Sequence, residues 1–477
     1  MSQTTVIRSA EWIIGWNGER HVFLRDGDLA FKDGVIVQVG GRFDGAVDEE
    51  IDGADRMVMP GLVNIHTHPT SEPLRKGVTD ETRSPAFWHS SLYEYLTSIG
   101  NDADGVTPSM RVAFGELALS GVTTVVDLSI PFDGWLDVMA ESGLRCVAAP
   151  MFRDATWFTR NGHALEYDWD EAAGRRGFED AQRLIELARQ HPSERLSGMV
   201  APAQIDTCSA DLLRDAHDFA EERNLPFQIH VSQSVTEFHE MIRRHGRTPV
   251  QWMAEIGVLS ERSILGHAIF LDHHPWLHWT TNDDKRQIAE AGASVAHCPT
   301  VFSRRGITLR TLGGYLKEGI NVGIGTDTYP HDFLDEMRSA MMYARVIGES
   351  VADLETADIF HAATIGGARA LGRTDIGRLA PGAAADVVVV DLKHPAMRPV
   401  RDPLRSLMYV AGSRAVRDVY VSGEQIVADG ALLTIDLETA LDELQAAQAR
   451  SLARVPERDW AGRSADKLAP LSLPTEF

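Results

Sequence analysis

Apolar residues occur along this chain in two textures. Through residue 58 they form short runs, among them Trp12-Ile13-Ile14, Leu29-Ala30-Phe31 and Val35-Ile36-Val37-Gln38-Val39, interspersed with Asn17-Gly18, Asp26-Gly27 and Asp33-Gly34. Short apolar runs separated by such pairs read as strands joined by hairpin turns. From residue 59 the runs alternate with amphipathic stretches such as 178–189 and 209–223, which carry helical periodicity. The strand-sized runs are Gly121–Asp127, Arg145–Pro150, Ser197–Pro202, Pro226–His230, Ser263–His267, Ala293–His297 and Asn321–Asp327. The apolar run Met57–Val63, closed by Asn64-Ile65-His66-Thr67-His68, adds one more and makes eight. Eight strand-then-helix units over roughly 300 residues predict an α/β chain built on a closed (β/α)8 TIM-type barrel.

The strand texture returns after residue 376, with Ala385–Asp391, Val416–Val421, a Ser422-Gly423 turn and Gln425–Val427. Residues 1–58 and 376–435 are therefore expected to form a small β-sandwich domain built from both chain ends, flanking a barrel of residues 59–375. In the remaining 436–477, Asp436 is a plausible cap for a helix from Leu437 to Val455, with apolar residues at 437, 441, 444, 452 and 455 and an extended tail beyond.

At 477 residues the chain is long enough for one large unit and a smaller companion. Apolar residues at 44% and charged residues at 24% describe a soluble globular protein. The net charge of −23 argues against nucleic acid or an anionic membrane as the main partner. Cys146, Cys208 and Cys298 are too far apart for a Cys-x-x-Cys motif, which excludes a cysteine zinc finger and fits a reducing compartment. No signal pattern opens the chain and no apolar stretch reaches membrane length, so a cytoplasmic location is expected.

The chemistry collects where the predicted strands end. Side chains on a strand share a face every second residue, so His66 and His68 point the same way. His230, His267, His297 and Asp327 stand at the ends of four other strands, and in a barrel such ends face one mouth. Imidazole and carboxylate donors suit zinc and similar divalent ions. Such a cation lowers the pKa of a bound water from about 16 towards about 7. A strand-end Asp can accept that water's proton, and a neighbouring His can orient the nucleophile or polarise the substrate.

Several motifs carry a resemblance: Met59-Pro60-Gly61-Leu62-Val63-Asn64-Ile65-His66-Thr67-His68, Gly266-His267-Ala268, Ala296-His297-Cys298-Pro299, Gly325-Thr326-Asp327 and Ile376–Asp386. On them the chain resembles the amidohydrolase superfamily, in the branch of triazine and nucleoside chlorohydrolases and aminohydrolases. The resemblance implies one divalent metal, Zn2+ or Fe2+, held by His66, His68, His230 and Asp327. It further implies Asp327 as general base and His267 beside the nucleophile. The strand ending at Pro202 has no Lys where binuclear relatives carry one, which favours a single ion.

One departure bears on the reaction. Ring deaminases of this branch carry Glu three residues after the third His; here the text is His230-Val231-Ser232-Gln233. An amide cannot shuttle a proton. Glu237 would substitute only if the backbone placed it differently. The expected reaction is therefore cleavage of a C–N bond in an amide, urea or carbamate. The alternative is an aminohydrolase or dechlorinase of an aromatic N-heterocycle such as a triazine, purine or pyrimidine.

The expected substrate is a small, xenobiotic or heterocyclic molecule, met by Gln233, His297, Trp88, Trp157, Phe302 and Tyr329. Arg304-Arg305 could bind a carboxylate, although solvation at the surface is the expectation. The His-rich stretch Asp272–Trp279 reads as a lid or subunit contact, and a homo-oligomer is expected.

Overall fold

The computed structural model describes residues 3–475. The eight expected barrel strands are present: β1 (Leu62–Thr67), β2 (Val122–Ser129), β3 (Arg145–Phe152), β4 in two pieces (Leu196–Gly198 and Ala201–Pro202), β5 (Phe227–Val231), β6 (Ser263–His267), β7 (Ser294–His297) and β8 (Asn321–Ile324). They form two parallel halves, ordered β4-β3-β2-β1 and β5-β6-β7-β8. Single parallel bridges close the ring, Thr67 to Asp327 between β1 and the end of β8, and Val200 to Phe227 and Gln204 to His230 between β4 and β5. Strands covered on both faces need apolar residues at nearly every position, and β1, β2 and β5 are buried throughout.

The run Met57–Val63 reads as one strand leading into the histidines, yet it belongs to two units. Arg56–Pro60 pairs with Thr4–Trp16 and with Val387–Asp391, and β1 begins after Gly61. Gly61 is required at the crossing, because a Cβ there would lie 2.0 Å from the Thr123 hydroxyl oxygen. The flanking unit is one continuous nine-stranded sheet drawn from both chain ends. A buried fork joins it to the barrel: Arg145, which opens β3, donates to both oxygens of Asp386 at 3.2 and 3.0 Å and to Ser422 at 2.7 Å.

The C-terminal helix runs Leu437–Ala453, and Asp436 caps it by accepting from the Thr439 amide. Its buried face differs from expectation. Ala440, Leu444 and Ala447 pack with Leu74, Ile99 and Val112, while Leu441 is exposed. Small residues face inward because the helix lies close against helix Ala103–Leu119. The tail beyond is not simply extended, since it contains the short helices Val455–Arg458 and Ala465–Leu468. No helix among the described residues is long and apolar enough to cross a membrane.

Candidate metal centre and its cavity

The strand ends bring His66, His68, His230, His267 and Asp327 together. Nε2 of His68 lies 3.3 Å from Asp327 Oδ1, Nε2 of His66 3.6 Å from the same oxygen, and Nε2 of His267 3.9 Å from Oδ2. The backbone adopts left-handed conformations here, with φ of 81° at His267 and 59° at Asp327. Non-glycine residues rarely adopt these values, and they tend to do so where the fold re-aims a functional side chain.

Each of three imidazoles is held from behind. His66 Nδ1 meets Gln228 Oε1 at 2.6 Å, and the Gln228 amide nitrogen donates to Ile65 O at 3.0 Å, which turns its oxygen towards the ring. His68 Nδ1 meets Leu128 O at 2.5 Å and His230 Nδ1 meets Ala203 O at 2.6 Å. A carbonyl oxygen only accepts, so each Nδ1 carries the proton and each Nε2 presents a lone pair. Burial lowers the His68 pKa to about 4 and that of His230 well below its usual value, so neither ring gains a second proton near neutrality.

The Nε2 atoms of His68 and His230 nevertheless stand 3.1 Å apart, and the buried Nε2 of His66 has no partner. Facing lone pairs and an orphaned nitrogen beside a carboxylate are what a divalent cation satisfies. The donor atoms of His66, His68 and Asp327, and those of His66, His230 and His267, each lie within 4.8 Å of one another. Burial opposes ionisation of Asp327, yet the surrounding His66, His267 and His68 hold its pKa well below the carboxylate range. His267 is pushed down to about 3, mainly by burial, and is neutral at pH 7.

A cavity of about 310 Å3 opens over this cluster, with His68, His230, His267 and Asp327 among its lining residues. Trp157, Phe302 and Gln233 line it as expected. Phe302 sets its ring edge-on to His267 at 4.7 Å, and Trp157 is fixed by its indole N–H donating to Asp206 at 2.9 Å. The buried Gln233 Nε2 makes no hydrogen bond within 3.5 Å, although its side chain interacts with the carboxyl group of Glu237. Glu237 lies behind that loop: its oxygens accept the Ser232 and Gln233 amides at 2.6 and 3.2 Å, so it caps the turn and does not line the cavity. Burial and nearby Asp206 raise its pKa well above the carboxylate range.

Three expected substrate contacts fall elsewhere. Trp88 is 47% exposed and outside the cavity wall, because its own left-handed turn carries it to the surface. Tyr329 is buried, its hydroxyl 2.8 Å from that of Thr79 and its ring beneath the Arg304 guanidinium. His297 is buried and does not line the cavity; burial lowers its pKa to about 3. The His-rich loop is folded against the barrel. Asp272 accepts from Thr281 and from the Asp283 amide, Leu277 joins the core, and His274 is buried. Among the described residues, no group of metal-binding donors falls in that loop. Arg305 also departs from expectation, since it lines the cavity instead of projecting into solvent.

The sequence reading missed Gln228, although its place two residues before His230 on one strand puts both on the same face. It also missed Glu72, Arg153 and Gln204 in the wall, for which no local pattern gives a signal.

Comparison with known proteins agrees with this geometry. A sequence profile described as the amidohydrolase family matches residues 57–426. A 5-methylthioadenosine/S-adenosylhomocysteine deaminase of Pyrococcus abyssi is 29% identical, over 87% of this chain and 93% of its own. Among solved structures, an adenosine deaminase from Xanthomonas campestris with bound zinc superposes at a TM-score of 0.80, with 25% identity, covering 94% of this chain and 98% of that one. A triazine hydrolase from Arthrobacter aurescens superposes at 0.79 with 22% identity, over 94% and 99% of the two chains, a likeness of fold.

Proposed function

The chain belongs to the amidohydrolase family, and from that premise we propose that it hydrolytically removes an amino group from a ring carbon of an aromatic N-heterocycle. It is a hydrolase acting on carbon–nitrogen bonds. An aromatic amino-heterocycle as substrate departs from the amide, urea or carbamate expected from Gln233. The observation that carries it is similarity along 87% of the chain to an enzyme named as a deaminase. The superposition on an adenosine deaminase supports it too.

His66, His68, His230 and Asp327 would hold one ion, for which zinc is our assignment on the donor set and the zinc-containing neighbour. When bound, such an ion supplies Lewis acidity and an acidified water near neutral pH. The chain's own groups do the rest. The Asp327 carboxylate takes the attacking water's proton and passes it to the departing nitrogen. Neutral His267 orients the water. Trp157 and Phe302 offer apolar walls to a flat ring. Gln233 lines the cavity, and on turning its amide from Glu237 towards the substrate it donates to the ring nitrogen beside the reacting carbon. It polarises that nitrogen where a carboxylic acid would protonate it.

Gln233 also favours a second reading, an open-chain urea or carbamate, in which charge develops on a carbonyl oxygen and no ring nitrogen needs a proton. Both are tested by following ammonia and amine release from 5′-methylthioadenosine, S-adenosylhomocysteine, an aminotriazine, and a phenylurea and an aryl carbamate with and without a ring carboxylate, with native and Gln233→Glu protein. The proposal expects ammonia from an amino-heterocycle, faster in the variant. Amine release from the urea or carbamate, with no ring activity in either protein, would replace it with the second reading.

A further inference from the structure

Two guanidinium groups in the cavity wall take no part in the chemistry above. Arg305 follows the short helix Pro299–Ser303 after β7, and Arg153 follows β3 directly. Arg305 spends one terminal nitrogen on Val301 O, while its Nε is sealed from solvent and has no hydrogen-bond partner. Among the described residues no carboxylate pairs with it. Of the acids whose charge reaches it, Glu72 is bound to Arg75 and Asp327 belongs to the metal cluster. Arg153 has neither a hydrogen bond nor an ion pair among the described residues, and burial pulls its pKa down, as it does that of Arg305.

The neighbouring cations are accounted for differently. Arg75 is held by Glu72 and by the carbonyls of Ile99 and Leu96. Arg304 is engaged by the Tyr329 carbonyl and ring and by Asp80 at 3.6 Å. Arg153 and Arg305 are thus the two lining arginines without an acidic partner.

A guanidinium does not give up its proton at any ordinary pH, and burying it without a counter-charge is costly. Its planar fork matches a carboxylate. We propose that the substrate of this cavity carries a carboxylate, which Arg305 anchors through the terminal nitrogen not bound to Val301 while Arg153 adds a second positive charge to the wall. This deepens the reading of the cavity as the substrate site by naming a substrate class, small acids. It does not depend on which C–N bond is cut. A cationic anchor inside the cavity also suits a chain of net charge −23, whose outer surface repels anions, because selection for an anion then has to be built into the wall.

The test is binding, not turnover. Benzoate and its neutral isostere benzamide are titrated calorimetrically into metal-loaded native protein and into Arg305→Gln, Arg305→Met and Arg305→Lys, with metal content and the thermal midpoint of each variant recorded. The native protein should prefer benzoate by at least about tenfold, the scale of one hydrogen bond to a charged group. Arg305→Gln and Arg305→Met should lose that preference with metal content unchanged, and Arg305→Lys should keep part of it. Should Arg305→Met fail to fold, Arg305→Gln, which keeps a polar end, decides. Retention of the full preference in Arg305→Gln would place the carboxylate on the metal or on Arg153 and overturn the proposal. So would the absence of any benzoate preference in the native protein. Failure of the deaminase assay leaves this result unaffected, so the two readings fall separately.

Discussion

Replacing Gln228 with Leu should weaken metal binding without touching a proposed ligand. Gln228 Oε1 accepts the Nδ1 proton of His66 at 2.6 Å, and its amide is itself pinned by Ile65 O at 3.0 Å. Leucine fills a similar volume but leaves the His66 Nδ1–H with no acceptor, in a ring that is 0% exposed. An orphaned buried donor costs about 1–3 kcal/mol. The ring can escape that cost by moving the proton to Nε2 or by rotating, and either change removes the lone pair from the ion's position. Loss of the group that orients a metal-binding histidine typically costs about 10–100-fold in affinity, or about 1.4–2.8 kcal/mol. The assay is chelator competition on native and Gln228→Leu protein, followed by elemental analysis after dialysis, with the thermal midpoint of the metal-free forms as control. Equal metal affinity in the two proteins would refute the argument that Gln228 sets the His66 tautomer.

Two further outcomes follow from the same geometry. Elemental analysis of native protein should find about one divalent ion per chain, the occupancy of a site with one open position; His66→Ala and His230→Ala should lose both ion and activity, and two ions in the native protein would overturn the single-ion assignment. His267→Ala should keep most of the ion yet lose at least about a hundredfold in turnover, whereas metal loss equal to that of His66→Ala would make His267 a ligand. A pH effect is expected at Asp127, whose pKa burial raises to about 7 although Trp135 donates to it at 2.8 Å. Between the unfolded value near 4 and about 7 the folded state holds a proton that the unfolded state has released, so stability falls as pH rises through that window. Asp127→Asn should flatten that part of a urea-unfolding profile, and an unchanged slope would count against the shift.

The barrel was legible because each strand is covered on both faces and reads as a bounded apolar run, and because the ring places strand ends at one mouth. The same logic found His66, His68, His230, His267 and Asp327, whose positions follow from the backbone alone. It failed where side-chain placement depends on distant parts of the chain. Trp88 and Tyr329 sit in loops of the right neighbourhood, yet one turns outward and the other is held by Thr79. Arg305 looks like a solvated surface charge beside Arg304, and only the packing of its loop turns it into the wall. Leu441 misled for a related reason, since close helix contact selects alanines as the inward face. The reaction class turned on relatives, because Gln233 constrains proton transfer but does not name a substrate.

The C-terminal helix and tail reach the segment that follows β1, on which part of the cavity wall is built. Gln448 donates to Leu74 O and Lys76 O, Ser451 and Arg458 donate to Gly100 O, and Trp460 and Arg463 hold Glu94. Residues 72–97 of the wall are thus tied down by residues 448–463. During synthesis the first metal-site histidines are made before any other part of the site, while the fasteners of the wall beside them are made only after the whole barrel. A nascent chain can form its barrel strands in order, yet the reaction chamber stays unfinished until the tail docks. Competence to turn over substrate is thereby deferred past completion of the barrel, until residues 448–463 have been made and have docked.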